Sequence, residues 1–313
     1  MNLYDNKEDL KTIIINTSEK LGLMEAIIEK DFYSMMFLKR LVEYDNNIIF
    51  KGGTSLSKCH KIISRYSEDI DLNYNGKVGD SKRKSLKKEI QIISEEMNMN
   101  ISNLDETRSR RDFNRYLINY NQSFNTSILK ESIVVEVALQ IPSFPYVEKE
   151  CSTYIYDYLK SINRNDIIER YELNPFIVKV QTLERTFIDK IFAICDYYLS
   201  GKVDRNSRHL YDLYKLSKVI DINSISSLIK EVRECRKPNP SCLSCKDGIS
   251  IKEIVNKIIK ERYYEDDYIN ITSKLVDQED AQKYTYDTVI EILESMIDNN
   301  QLDEFDKLEP HTR

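Results

Sequence analysis

The chain has only 7 glycines and 6 prolines in 313 residues. That scarcity excludes collagen-like and linker-dominated chains. No apolar run nears the roughly 20 residues that cross a bilayer, so no membrane partner is expected. The N-terminal MNLYDNKEDLK lacks the basic-then-apolar order of a signal peptide, and a cytoplasmic location is expected. Histidine is scarce too, at 3. Neither His60 nor His209 sits in a paired nucleophile motif, and His311 falls in the C-terminal LEPHTR. There is no Gly/Ser linker, internal repeat or low-complexity block. What remains is 41% hydrophobic and 31% charged, the balance of a globular chain long enough to bury a core. At roughly 100–200 residues per domain it holds two domains or one large one.

The net charge is −6, which argues against a general DNA coater, since phosphate binding draws on concentrated positive charge. The average hides two basic stretches, Lys82–Lys88 and Arg108–Arg115, and an acidic stretch from Glu291 to Glu309. The basic stretches suit either a solvated helix face or an RNA backbone. Cys242 and Cys245 form a CxxC with Cys235 upstream. Three zinc ligands or a plain cysteine-bearing loop are the two readings, and the lack of a close fourth ligand favours the loop.

Periodicity predicts helix over 8–44, a short strand Ile48–Lys51 ending at Gly52-Gly53, and a helix from Ser55 to Ile63. A strand over 69–74 and a helix over 81–97 follow. Ile133–Gln140 (IVVEVALQ) is the strongest strand, and Ile177–Val180 is the last. Leu183, Phe187, Ile191, Ile194 and Tyr198 mark one face of a long helix, and helical patterns continue to about residue 300. The expected class is α+β: a mixed sheet flanked by helices, then a mostly helical C-terminal domain. The expected boundaries are 1–150, 151–300 and an acidic tail over 301–313.

The chemistry-bearing segment is FKGGTSLSKCHKIISRYSEDIDL, Phe50–Leu72. Glycines let a ligand approach the backbone, and helix-starting N–H groups with the Ser55 hydroxyl suit a triphosphate. Asp69 and Asp71 are two apart on a strand, so they share a face. Paired carboxylates repel unless a cation lies between them, and Mg²⁺ with triphosphate oxygens is the natural one. Glu136 is the single charge in IVVEVALQ. It is either a third metal ligand of a two-metal arrangement or a solvent-facing residue on an edge strand.

The order strand, double glycine, small hydroxyl residues, helix and DxD strand resembles the minimal nucleotidyltransferase fold of the DNA polymerase β-like superfamily. KGGTSLSK followed by RYSEDIDL resembles the signature of the AbiEii/AbiGii nucleotidyltransferase toxins. Glu29-Lys30-Asp31-Phe32-Tyr33, Leu183–Phe187 through Lys190, and Ser207–Leu213 resemble that family's flanking motifs in the same order. The resemblance implies a nucleotide seat at Gly52, Gly53 and Ser55, with Lys58, Lys190 and Arg208 as further contacts. It implies Mg²⁺, with Mn²⁺ an alternative, on Asp69 and Asp71, and Glu136 as the added ligand. Lys190 would contact the triphosphate; Asp212 would orient that lysine or activate the acceptor.

The function so implied is transfer of a nucleoside monophosphate from an NTP to an acceptor, the tRNA 3′ end, which would block translation. The chain would be the toxin of a type IV-like bacterial toxin–antitoxin system, its antitoxin encoded alongside. Two other readings stay open: a phosphotransferase acting on a protein or small hydroxyl acceptor, and a catalytically silent nucleotide- or partner-binding protein.

Overall fold

The computed structural model describes residues 2–126, 129–276 and 278–307. It divides into two compact units: residues 1–60 with 67–181, and residues 61–66 with 182–313. The first unit thus extends past the boundary expected at residue 150 and takes in the last strand.

The first unit opens with α1 (Lys7–Leu21) and α2 (Glu25–Tyr44), within the helical stretch expected over 8–44. Gly22 ends α1 at φ 66°, a left-handed cap that glycine adopts without strain. There follow β1 (Ile49–Lys51), α3 (Gly52–Lys58), β2 (Asp69–Asn73), α4 (Asp80–Glu96), β3 (Asn100–Ile101), β4 (Phe113–Asn119), β5 (Ile133–Ala138), β6 (Tyr146–Cys151), α5 (Tyr154–Ser161), α6 (Asn165–Arg170) and β7 (Phe176–Gln181). Among the described residues, seven strands form one sheet in the order β3-β4-β5-β2-β1-β7-β6. The pairs β2/β5 and β1/β7 are parallel and the rest antiparallel, so the sheet is mixed.

Alternation gives this sheet two unlike faces. Phe50, Ile70, Leu72, Val135, Val137, Tyr116 and Val180 join the buried core with Ile28, Phe32 and Phe37 of α2. The residues between them fall on the other face. In register there stand Lys51 opposite Asp71, Asp71 opposite Glu136, and Glu136 opposite Arg115. The apolar face holds the helices; the opposite face carries a row of charge across four strands.

The second unit is helical: α7 (Leu183–Leu199), α8 (Arg208–Ser217), α9 (Ser226–Arg236), α10 (Ile251–Lys260), the short α11 (Glu265–Asp267), α12 (Ser273–Leu275) and α13 (Gln278–Lys283), then α14 (Tyr286–Asp298) and α15 (Asp303–Asp306). The Thr182 hydroxyl caps α7 by accepting from the Arg185 amide. The stripe expected on α7 is buried: Phe187, Ile191 and Ile194 are fully enclosed, as are Leu210 and Leu213 of α8 and Val289 and Leu293 of α14. The tail expected over 301–313 begins instead as packed structure. Leu302 and Phe305 are fully buried, and Asp306 accepts from the Ile251 amide at the start of α10. Residues 308–313, with His311, lie outside the described residues. The class is α+β.

Candidate active site

In the first unit the glycine turn and the DxD strand meet. Gly52 has φ +77°, and a Cβ there would lie 2.0 Å from Asp71 Oδ2. Glycine is therefore required twice over, for the backbone angle and for the approach of the carboxylate. Thr54 of α3 donates to the Asp69 carbonyl at 2.6 Å, fixing the helix to β2. Asp69 and Asp71 share the charged face of the sheet, as period two demands.

Lys130 Nζ donates to both oxygens of Asp69, at 2.7 and 2.9 Å. Asp71 stands in register between Lys51 of β1 and Glu136 of β5, in a row with a cation at each end. These acceptor-only oxygens, one pair already holding an ammonium, fit a hard divalent cation at Asp69 and Asp71. The expected third ligand is otherwise employed. Arg115 grips Glu136 Oε1 through Nε at 2.8 Å and Nη2 at 2.6 Å. Among the described residues, no group of three or more His, Cys, Asp or Glu is arranged to hold a metal ion. The edge-strand alternative fails too, because β5 lies between β4 and β2.

Two expected nucleotide contacts are turned inward. Ser55 is fully buried and its hydroxyl donates to the Gly52 carbonyl at 2.9 Å, within its own helix. Lys58 is buried, paired with Asp31 at 2.8 Å and seated 3.6 Å from the centre of the Tyr154 ring. Desolvating an ammonium is tolerable only with such partners, so Lys58 has a structural role. The Glu-Lys-Asp run of α2 behaves alike. Glu29 accepts from the Ser123 and Phe124 amides, Lys30 pairs with Glu68, and Asp31 also accepts from the Tyr154 amide that begins α5.

In the second unit α7 and α8 pack together and bring Lys190 to Asp212 at 2.6 Å. Asp212 is fully buried and also receives a fork from Arg65, Nε and Nη2 each at 2.6 Å. Burial raises the Asp212 pKa, but Arg65 and Lys190 outweigh it and hold the carboxyl well below its usual range. Burial lowers the Lys190 pKa, with Asp212 acting against it. His209 Nδ1 is 3.4 Å from Lys190 Nζ and its ring stacks on Tyr197. Desolvation and the Lys190 charge push its pKa well below the ordinary value, which keeps the imidazole neutral at pH 7. Arg208 is half-buried at the first turn of α8.

Arg65 and Lys130 were not anticipated. Arg65 stands inside RYSEDIDL, and its pairing across 147 residues left no local signal. The basic stretches are largely spent internally: Lys82 on Asp45, Arg83 on Asp112, Lys87 on the Thr107 carbonyl and Arg115 on Glu136. All six cysteines are free. Burial pushes the Cys245 thiol up to about 11, which disfavours the thiolate that zinc requires.

A family model described as "Nucleotidyl transferase AbiEii toxin, Type IV TA system" matches residues 36–292. The chain belongs to the AbiEii family of nucleotidyltransferase toxins. Membership implies a cognate antitoxin as partner. The AbiEii match includes the Gly52–Gly53 turn, the DxD strand, Lys190 and Asp212, while Glu29–Asp31 lies upstream of it. Among solved structures, the chain is similar to JHP933 from Helicobacter pylori, at 13% identity over 89% of this chain and 93% of that one, TM-score 0.44. It is also similar to MenT4, a nucleotidyltransferase toxin from Mycobacterium tuberculosis, at 16% identity over 93% and 98%, TM-score 0.43. No curated protein matches significantly. Among the described residues, no helix is long and apolar enough to cross a membrane.

Proposed function

We propose that this toxin transfers a nucleoside monophosphate from an NTP to the 3′ end of tRNA, releasing pyrophosphate. The observation that carries the reading is the contact of the Asp71 carboxylate with the Gly52 turn, with Asp69 on the same face of β2. Asp69 and Asp71 would hold Mg²⁺ or Mn²⁺. Bound there, the cation would neutralise triphosphate oxygens and favour ionisation of the attacking hydroxyl. Gly52 and Gly53 leave the backbone open to close approach by phosphates. Lys190 of α7 and Arg208 at the start of α8 are the second unit's cationic candidates for a phosphate. Asp212 acts by orientation: the Arg65 fork fixes it, and it fixes the Lys190 ammonium. A carboxylate held ionised by two cations is a poor proton acceptor, so it is not the base that activates the acceptor.

The test is incubation of purified protein with α-labelled NTPs, total tRNA and Mg²⁺ or Mn²⁺. Label on tRNA with pyrophosphate release, abolished by Asp71→Asn, is the expected result. Diphosphate release with γ-label transfer would replace this reading by a phosphotransferase. No transfer from any NTP would leave a silent binder.

A further inference from the structure

Lys130 is bonded to both oxygens of Asp69, a proposed metal ligand, and its placement is built from several directions. Its amide donates to Glu68 at 3.0 Å, and its carbonyl accepts from Lys30 Nζ at 2.6 Å. Lys30 is itself buried and ion-paired to Glu68 at 2.7 Å. One residue earlier on α2, Glu29 holds the amides of Ser123 and Phe124 in the same connection between β4 and β5. Both backbone polar groups of Lys130 are thus pinned by buried or half-buried charge. The side chain is not: it is 34% exposed, against 12% for the Asp69 side chain it covers. It also lines a cavity of about 710 Å³ with Tyr120, Phe124, Asn125 and Thr126. A fixed backbone, a part-exposed ammonium, open space beside it and a carboxylate at its tip together suit an exchangeable counter-ion.

We propose that Lys130 is a resident cation that a divalent metal displaces from Asp69, and that the released ammonium then pairs with a phosphate of the incoming triphosphate. The inference rests on the metal-dependent reading of Asp69 and Asp71. Its physical basis is competition: two cations cannot both take the same carboxylate oxygens, while a triphosphate brings oxygens enough for both. The lysine stabilises the empty carboxylate and couples metal arrival to phosphate capture. Glu29, Lys30 and Glu68 act as positioning residues for it.

The coupling has a signature of opposite signs. Mn²⁺ binding to the full chain is measured by calorimetry or electron paramagnetic resonance, without nucleotide. Lys130→Met is expected to bind Mn²⁺ about three- to tenfold more tightly, the range expected for removing a part-exposed competing ion pair. The same variant is expected to bind inorganic triphosphate with Mg²⁺ more weakly by a similar factor, and Lys130→Arg to restore most of both. Thermal melting of each variant verifies folding. Unchanged Mn²⁺ affinity in folded Lys130→Met, or parallel weakening of both ligands, overturns the proposal. Asp69→Asn separates this failure from a deeper one. If the unmodified protein binds Mn²⁺ and Asp69→Asn abolishes that binding, the metal site stands whatever Lys130 does. If Asp69→Asn changes nothing, the metal reading falls and this inference with it.

Discussion

The two units each centre on carboxylates met by cations, yet they resolve the charge differently. In the second unit Asp212 is fully buried and takes Lys190 and both arms of the Arg65 fork at 2.6 Å each. In the first unit Asp69 accepts from the part-exposed Lys130, and Asp71 stands in register between Lys51 and Glu136. A buried charge must be compensated inside the fold, so the Asp212 cluster is a fixed part of the architecture. The contrast sets a fully enclosed carboxylate against one met by a lysine that water still reaches.

The largest effect should come from breaking the fixed centre. Asp212→Ala removes the carboxylate that Arg65 and Lys190 share and should cost about 3–5 kcal/mol of stability, read by denaturant unfolding. A loss under about 1 kcal/mol would mean that the cluster is no more structural than a surface pair. Asp71→Asn should show the reverse pattern. Nucleotide transfer should fall about 10²–10³-fold or more, while thermal melting shows a smaller loss of stability than in Asp212→Ala. A variant that unfolds instead would erase the distinction between the centres.

Gly52→Ala tests the turn that joins the glycine pair to the DxD strand. Positive φ and a Cβ 2.0 Å from Asp71 Oδ2 force the strand or the helix to shift. About 1–3 kcal/mol of destabilisation, with transfer activity lost, is expected. Full activity in the alanine variant would show that the close approach is dispensable.

The pH profile offers a subtler probe of the second unit. His209 has a folded-state pKa well below its ordinary 6.5, so the unfolded chain takes up a proton before the folded one does. Stability should fall as pH drops below about 6.5. Asp212, depressed below 3.8, adds a loss that begins only as pH falls past about 4. His209→Asn should flatten the profile between pH 7 and 5 and leave the steeper acid limb in place. The smallest effect belongs to Arg115→Ala. That arginine is 56% exposed, and its pair with Glu136 should be worth less than about 1 kcal/mol in urea unfolding.

Much of the frame was legible because it is local. The β-branched run of β5, the apolar stripe of α7 and the glycine-to-DxD spacing each report backbone geometry directly. What escaped notice lacked such a pattern. β6 is an edge strand of the sheet, and Tyr146–Glu150 are exposed, so its YVEKEC carries little apolar alternation. β4 begins within a run that reads as basic helix surface, although Tyr116 and Ile118 enter the core. The break within the helical stretch 8–44 falls at Gly22, whose left-handed angle periodicity does not register.

Sequence alone determined that Asp69 and Asp71 project to one side of a strand, since that follows from two-residue alternation wherever the strand lies. It also determined that a glycine pair lies between the first strand and the helix before them. Only the tertiary structure decided which charges are committed. Lys58 went to Asp31 and Arg65 to Asp212, while Lys130 closed on Asp69 from 61 residues away. Backbone periodicity is set by neighbours along the chain. Ion pairing is set by burial, which removes water and forces each charge to find a partner wherever folding has placed one.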